Sequence, residues 1–266
     1  MQETMAIPEP TVHTGPLVVS APFDPEIRLS LVVPTFNESE NIHAFLPALR
    51  DALDMALGPA YEIIVVDDDS PDRTWEIASS LMTVIPQLRV IRRQCERTLS
   101  AAVIRGWQAA RGEFLGTINA DFQHPPDLLP AMIAHLESSD LVVASRFAEG
   151  GGLGDWAMHR RINSFVAHWM GCRLLPQAFK RTSDPLSGFY LVRRQAIAGV
   201  ELQPLGFKTL MEIMVRGHIG VIREISYEMR ARQRGNSKLK FRHWFDYAFH
   251  LLRLRRAART RAARAE

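Results

Sequence analysis

The chain has 266 residues, 47% hydrophobic and 23% charged, the proportions of a globular protein with one sizeable core rather than of a disordered or fibrous chain. Its two cysteines, Cys95 and Cys172, lack the spacing of a metal site and fit a reducing compartment, no apolar run reaches the roughly 18 residues that span a bilayer, and Glu3 with no basic-then-apolar pattern behind it argues against a signal peptide. The net charge of +3 hides an asymmetry: residues 240–266 hold eight Lys or Arg against two acids, a net of +6 that leaves −3 for the other 239 residues, so any polyanion or membrane contact is expected at the tail.

Residues 1–27 are rich in Pro, Thr and Ser and read as a flexible N-terminal arm. From residue 28, short apolar runs alternate with helical patterns. Strands are expected at 29–33, 61–66, 88–91, 114–118 and 141–145, and helices at 38–55, 74–83, 100–110 and 128–136. That alternation predicts an α/β fold, an open, Rossmann-like, mostly parallel sheet flanked by helices. Beyond residue 146 the regularity weakens. A Gly-rich loop at 149–155, expected to be mobile, precedes helices at 162–175 and 209–216 and strands at 186–192 and 221–227. Trp156 and Trp169 are expected in the core. The domain is expected to run from 28 to 239, and residues 240–266 to form a basic amphipathic C-terminal helix. In it Phe241, Trp244, Phe245, Ala248, Leu251, Leu252 and Arg255 fall mostly at i, i+3, i+4, i+7 spacing, rimmed by Arg253, Arg256 and Arg259. Such a helix either lies at a membrane interface or docks its stripe on the core.

Ligands of open parallel sheets bind beyond the carboxyl ends of the strands. Three polar clusters fall there: Pro34-Thr35-Phe36-Asn37-Glu38, Asp67-Asp68-Asp69-Ser70-Pro71-Asp72 and Asn119-Ala120-Asp121-Phe122-Gln123-His124. Asp121 and Gln123 stand at i and i+2, so an extended backbone would point both the same way, an acid and an amide oxygen suited to a hard divalent cation. Three adjacent acids repel one another unless donors or a cation lie nearby. Asp67 is therefore expected at a nucleotide, with Asp72 capping the next helix. His124, in a Pro-flanked turn, reads as structural. No G-x-G-x-x-G follows the first strand and no P-loop occurs anywhere, so a nucleotide would be held by acids and a metal.

These clusters, with Ala144-Ser145-Arg146-Phe147, Asp184-Pro185-Leu186-Ser187-Gly188-Phe189, Gly206-Phe207-Lys208 and the 232–239 segment, resemble the successive signatures of family-2 glycosyltransferases with the GT-A fold. The resemblance is strongest to polyprenol-phosphate (dolichol-phosphate) mannosyltransferases and runs in order from about residue 29 to 240. It implies inverting transfer of a sugar, mannose from GDP-mannose, to a polyprenyl phosphate, with Mg2+ or Mn2+ as cofactor. It implies a donor site of Pro34, Phe36, Glu38, Asp67, Asp69, Asn119, Ala120, Lys208 and Arg232. Asp121, Gln123 and Asn119 would hold the metal, and Asp121, Asp184 and Arg232 would serve the reaction. Arg146, Arg160, Arg161 and Ser164 would bind the acceptor phosphate. The sequence departs from the family at Asn119, where a second Asp is usual, and at Arg97-Thr98-Leu99-Ser100, where Gly-Leu-Gly or Gly-Leu-Ser is usual. A related UDP-sugar transferase and a catalytically weakened nucleotide-sugar-binding homologue remain alternatives. The expected setting is cytoplasmic, peripheral at the inner face of a membrane. No nucleic-acid module accompanies the arginines.

Overall fold

The computed structural model describes residues 10–11, 15–94, 98–154, 156, 158–206, 208–231 and 242–262. In chain order the first half comprises β1 (Pro10–Thr11), β2 (Leu17–Val18), β3 (Leu29–Thr35), α1 (Ser39–Leu57), β4 (Tyr61–Asp67), α2 (Thr74–Ser80), β5 (Leu88–Arg93), α3 (Leu99–Ala109) and β6 (Phe114–Thr117). The second comprises α4 (Leu129–Ile133), β7 (Leu141–Ser145), α5 (Met158–Leu174), α6 (Pro176–Phe179), β8 (Tyr190–Arg193), β9 (Glu201–Leu202), α7 (Thr209–Arg216), β10 (Ile222–Ser226) and α8 (Arg242–Ala262).

Eight strands form one sheet in the order β1-β5-β4-β3-β6-β8-β7-β10, while β2 and β9 pair separately. All neighbours in the large sheet run parallel except β8, which is antiparallel to both β6 and β7. The helix-flanked, mostly parallel sheet is the one the alternation predicts. Every residue of β3 and β4 is buried, as a strand covered on both faces requires. The period of two then divides the core. Leu29, Leu31, Val33, Ile63 and Val65 pack with Ile42, Phe45, Leu46 and Leu49 of α1. Val32, Ile64 and Val66 pack on the other face with Ala102, Val103 and Trp107 of α3. Gly106 permits that approach, since a Cβ there would stand 2.6 Å from a Val32 methyl.

Several expectations are corrected. The supposed loose arm is attached where it is described: β1 pairs with β5, β2 with β9, and Val19 is buried. The run expected as a strand at 186–192 turns through Leu186–Phe189 before β8 begins at Tyr190, leaving that turn at the sheet edge. The helix expected at 128–136 is only the short α4 between 3-10 turns. Gly152 of the glycine-rich loop exchanges backbone hydrogen bonds with Tyr227 and Met229, so that point is pinned rather than loose. Trp169 lies outside the core, 53% exposed. The stripe of α8 is also divided: Tyr247, Leu251 and Leu254 join the core, whereas Phe245, Phe249 and Leu252 face outward.

Candidate active site

β4, β3 and β6 are parallel neighbours, so the three polar clusters that follow them lie side by side along one sheet edge. β7 runs in the same direction as β6, because both are antiparallel to β8. Its carboxyl end at Ser145-Arg146, and the turn that leads into β8, therefore share that edge.

The acids after β4 are neutralised by the fold itself. Asp67 is fully buried, accepting from Thr35 Oγ1 at 2.7 Å, Ser70 N–H at 2.8 Å and Ser70 Oγ at 2.7 Å. Burial raises its carboxyl above the usual range, with the Ser70 and Thr35 bonds working against that rise. Asp68 pairs with Arg93 at 2.6 Å, and Asp69, in left-handed backbone at φ 56°, pairs with Arg92 at 2.6 Å. The donors that three adjacent acids demand are thus protein groups. Asp72 ties the start of α1 to that of the helix following it, α2, accepting from Ser39 N–H and Thr74 N–H. Pro34 is buried within β3, while Phe36 is partly exposed and Glu38 accepts from Asn41 Nδ2 at 2.9 Å.

The segment after β6 corrects the extended geometry expected at 121–123. Phe122 has φ 57° and sets its ring edge-on to Phe45, 5.0 Å between centroids. The apolar anchor turns the chain, and Gln123 N–H donates to Asp121 Oδ1 at 3.2 Å. Asp121, Gln123 and His124 are all buried, as is Ala120. Asn119 lies against the turn before β8: a Cβ on Gly188 would stand 3.5 Å from Asn119 Nδ2 and 3.3 Å from His124 Cε1.

Arg146 and Asp184 are assigned separate roles by resemblance, yet they form one buried bidentate pair. Nε and Nη2 of Arg146 each donate to an Asp184 oxygen at 2.7 Å, with 8% and 1% of the side chains exposed. Burial alone would raise the Asp184 carboxyl, but the Arg146 bonds and charge hold it below the usual carboxylate range. Lys208 Nζ donates to Leu186 O at 2.6 Å, and burial, then the charge of Arg146, brings its pKa down to about 7. The same two causes bring His124 down to about 3, which keeps it neutral. Tyr227, just past β10, was missed by sequence reasoning, although the expected strand ended on it. Its buried phenol has no hydrogen-bond partner among the described residues, and burial pushes it above its usual range, with Arg146, Asp184 and Asp121 all near enough to act on it. A cavity of about 540 Å3 opens beside it, walled by Pro125, Asp127, Leu128, Gly154 and residues 226–231.

The other expected acceptor groups lie on α5. Arg160 stacks on Trp156, 4.6 Å from the ring centroid, and Arg146 approaches the same ring at 5.4 Å. Arg161 is spent on loop carbonyls, donating to Trp156 O at 3.1 Å and Gly154 O at 2.8 Å. Ser164 is half-buried one turn further on. Arg232 lies outside the described residues. Thr98, where the family's glycine is usual, has extended backbone and caps α3 by accepting from Ala101 N–H at 3.2 Å, so that position needs no glycine.

As a cation site, the 119–123 turn supplies one carboxylate and two amide oxygens. Among the described residues no group of three His, Cys, Asp or Glu side chains forms a metal centre. The hard oxygen set fits Mg2+ or Mn2+ provided that ligand oxygens and water complete the coordination.

The family described as Glycosyl transferase family 2 matches residues 30–199, and the chain belongs to it. The chain is 42% identical over 86% of its length to a dolichol-phosphate mannosyltransferase of Pyrococcus furiosus, of which it spans 64%. It is 34% identical to a protein of that name from Mycosarcoma maydis, over 85% of this chain and 79% of the relative, and 30% identical to the Saccharomyces cerevisiae one, over 86% and 87%. Among solved structures it resembles mannosyl-3-phosphoglycerate synthase from Rubrobacter xylanophilus, with TM-score 0.65, 19% identity and coverage of 89% of this chain and 75% of that one. It also resembles glucosyl-3-phosphoglycerate synthase from Mycobacterium tuberculosis, solved with Mn2+ and UDP, with TM-score 0.62, 19% identity and coverage of 86% and 78%. These likenesses establish the GT-A fold.

Proposed function

We propose that the protein transfers mannose from GDP-mannose to a polyprenyl phosphate, with inversion at the anomeric carbon. The observation that carries this reading is the 42% identity to a relative named dolichol-phosphate mannosyltransferase. The clustering of Asn119, Asp121, Arg146, Asp184 and Lys208 at one sheet edge agrees with it.

In this reading Phe36, Glu38 and Asp69 face the donor nucleotide, and Asp67 braces their loops from within. Asp121, with Asn119 and Gln123, holds Mg2+ or Mn2+, which when bound supplies fixed positive charge against the leaving diphosphate. An acceptor phosphate oxygen bonds to the anomeric carbon as the bond from that carbon to the diphosphate oxygen breaks, and GDP departs with the electron pair. A phosphate monoester has its second pKa near 6, so it is mostly dianionic at neutral pH and needs no strong general base. The obstacle is bringing two anions together. Arg146, Arg160 and Lys208 offset it, with Arg161 adding its charge from its place on the loop carbonyls, Asp184 fixing the Arg146 fork and an arriving anion favouring the charged form of Lys208. Arg232 acts on the donor phosphates, and Ser164 on the acceptor.

The acceptor is a lipid, and we place the enzyme at the membrane surface through the outward residues of α5 and α8. Among the described residues no helix is long and apolar enough to cross a membrane. The test is a screen of GDP-mannose, UDP-glucose and UDP-N-acetylglucosamine with Mg2+ or Mn2+ and a short polyprenyl phosphate, following label into the lipid phase. GDP-mannose is expected to be the preferred donor. Label entering lipid only from a UDP-sugar, or none from any donor, contradicts the reading.

A further inference from the structure

α5 and α8 each carry a row of outward apolar side chains. On α5 these are Met158, Ile162, Phe165 and Trp169, and on α8 Phe245, Phe249 and Leu252, all between 48% and 71% exposed. Spacings of three and four residues put each row on one helix face. The helices also run the same way. Tyr247 Oη donates to Ala167 O at 2.7 Å, and further along both helices Arg255 and Arg259 meet Arg173 and Leu174. Each row therefore ends at the same end of the pair, and each ends in arginine. Arg173 follows Trp169 by one turn and approaches its ring at 5.5 Å, and Arg255 and Arg259 follow Leu252 on its own face.

At that end lies a small pocket of about 160 Å3, walled by Arg173, Arg255 and Arg259 with Leu174, Pro176 and Gln177. It is several times the ~30 Å3 share of one water. Among the described residues no carboxylate lines it, and none of the three guanidinium groups forms an ion pair with an acid. Three like charges lining one pocket repel unless an anion joins them, and the planar guanidinium fork matches a phosphate better than a spherical ion. The pocket also lies far along α5 from the Arg160–Trp156 contact, so it is separate from the acceptor site.

We propose that this pocket binds the phosphate of an anionic membrane lipid, fixing how the α5–α8 face sits on the bilayer. The inference rests on the membrane placement given above. The apolar rows would enter the acyl boundary while the arginines meet the headgroup phosphates at one end, so a bound lipid would set the orientation of the sheet edge to the surface.

The test measures partitioning of the full chain onto phosphatidylcholine vesicles containing either phosphatidylglycerol or oleate at equal surface charge. Wild type, Arg173→Gln, Arg259→Gln and Arg256→Gln are compared, with unchanged melting temperatures as the folding check. Wild type is expected to prefer phosphatidylglycerol. Arg173→Gln and Arg259→Gln each lose that preference and fall at least about tenfold, as expected for a lost charge-assisted hydrogen bond. Arg256, exposed on α8 outside the pocket, contributes only general charge. Its variant keeps the preference and falls about fivefold or less on both vesicles. Equal losses in all three variants, or equal binding to both vesicles, overturn the pocket while leaving the membrane placement intact. Absence of wild-type binding to either vesicle overturns both. Broadening of the inorganic phosphate NMR signal by wild type but not by Arg259→Gln, with no vesicle preference, assigns the pocket to soluble phosphate and also overturns the proposal.

Discussion

Two residues that sequence motifs separate, Arg146 and Asp184, act as one unit. A buried bidentate pair is costly to break from one side, because the survivor keeps its charge without a partner. Arg146→Ala is expected to lower stability by about 3–5 kcal/mol as well as transfer activity, whereas Arg146→Lys keeps the charge and loses the fork. Urea unfolding measures this, and an unchanged midpoint for Arg146→Ala would contradict the pairing. Lys208 gives a second residue-scale test. It titrates near pH 7 in the fold against 10.5 as its ordinary value. Between those values the unfolded chain binds the extra proton, so this lysine's contribution to stability rises with pH across the window and is lost as pH falls to 7. Wild type is expected to gain more stability than Lys208→Met between pH 7 and 9. Parallel pH curves for the two proteins would remove the lysine from its half-buried, Arg146-facing position.

At the scale of elements, α8 serves the core and the surface at once. Leu251 is fully buried and Leu252, its neighbour, is about half exposed. Leu251→Ala is expected to cost about 2–5 kcal/mol through the cavity it leaves. Leu252→Ala is expected to change stability by about 0.5 kcal/mol or less while weakening vesicle binding. Thermal melting and vesicle flotation on the two variants separate these roles, and equal stability losses would contradict the division of the helix. The other instructive element is β8. Leu191 and Val192 read as strand from either direction, because a buried apolar run carries no sign of its orientation. The antiparallel insertion of β8 between β6 and β7 comes from tertiary pairing and is invisible to local pattern.

At the scale of the molecule, the alternating strands and helices and the edge that gathers the polar clusters of the candidate site were legible, since buried parallel strands are continuous apolar runs that stop abruptly in polar residues. What the side chains do at that edge was less so. Asp67 looked available to a ligand, yet Thr35, 32 residues earlier, and Ser70 take both its oxygens. The extended reading of 121–123 failed because it ignored the packing of Phe122 on Phe45. Tyr227 reaches the Arg146–Asp184 pair only through the fold, and no local signal marks it. The central claim is that the acid at 121 seats a divalent cation on the donor diphosphate. Titration calorimetry of GDP-mannose into wild type and Asp121→Ala, with and without Mn2+, tests it most directly. The account predicts binding that Mn2+ strengthens in wild type and leaves unchanged in the variant. Equal strengthening in both proteins would contradict it.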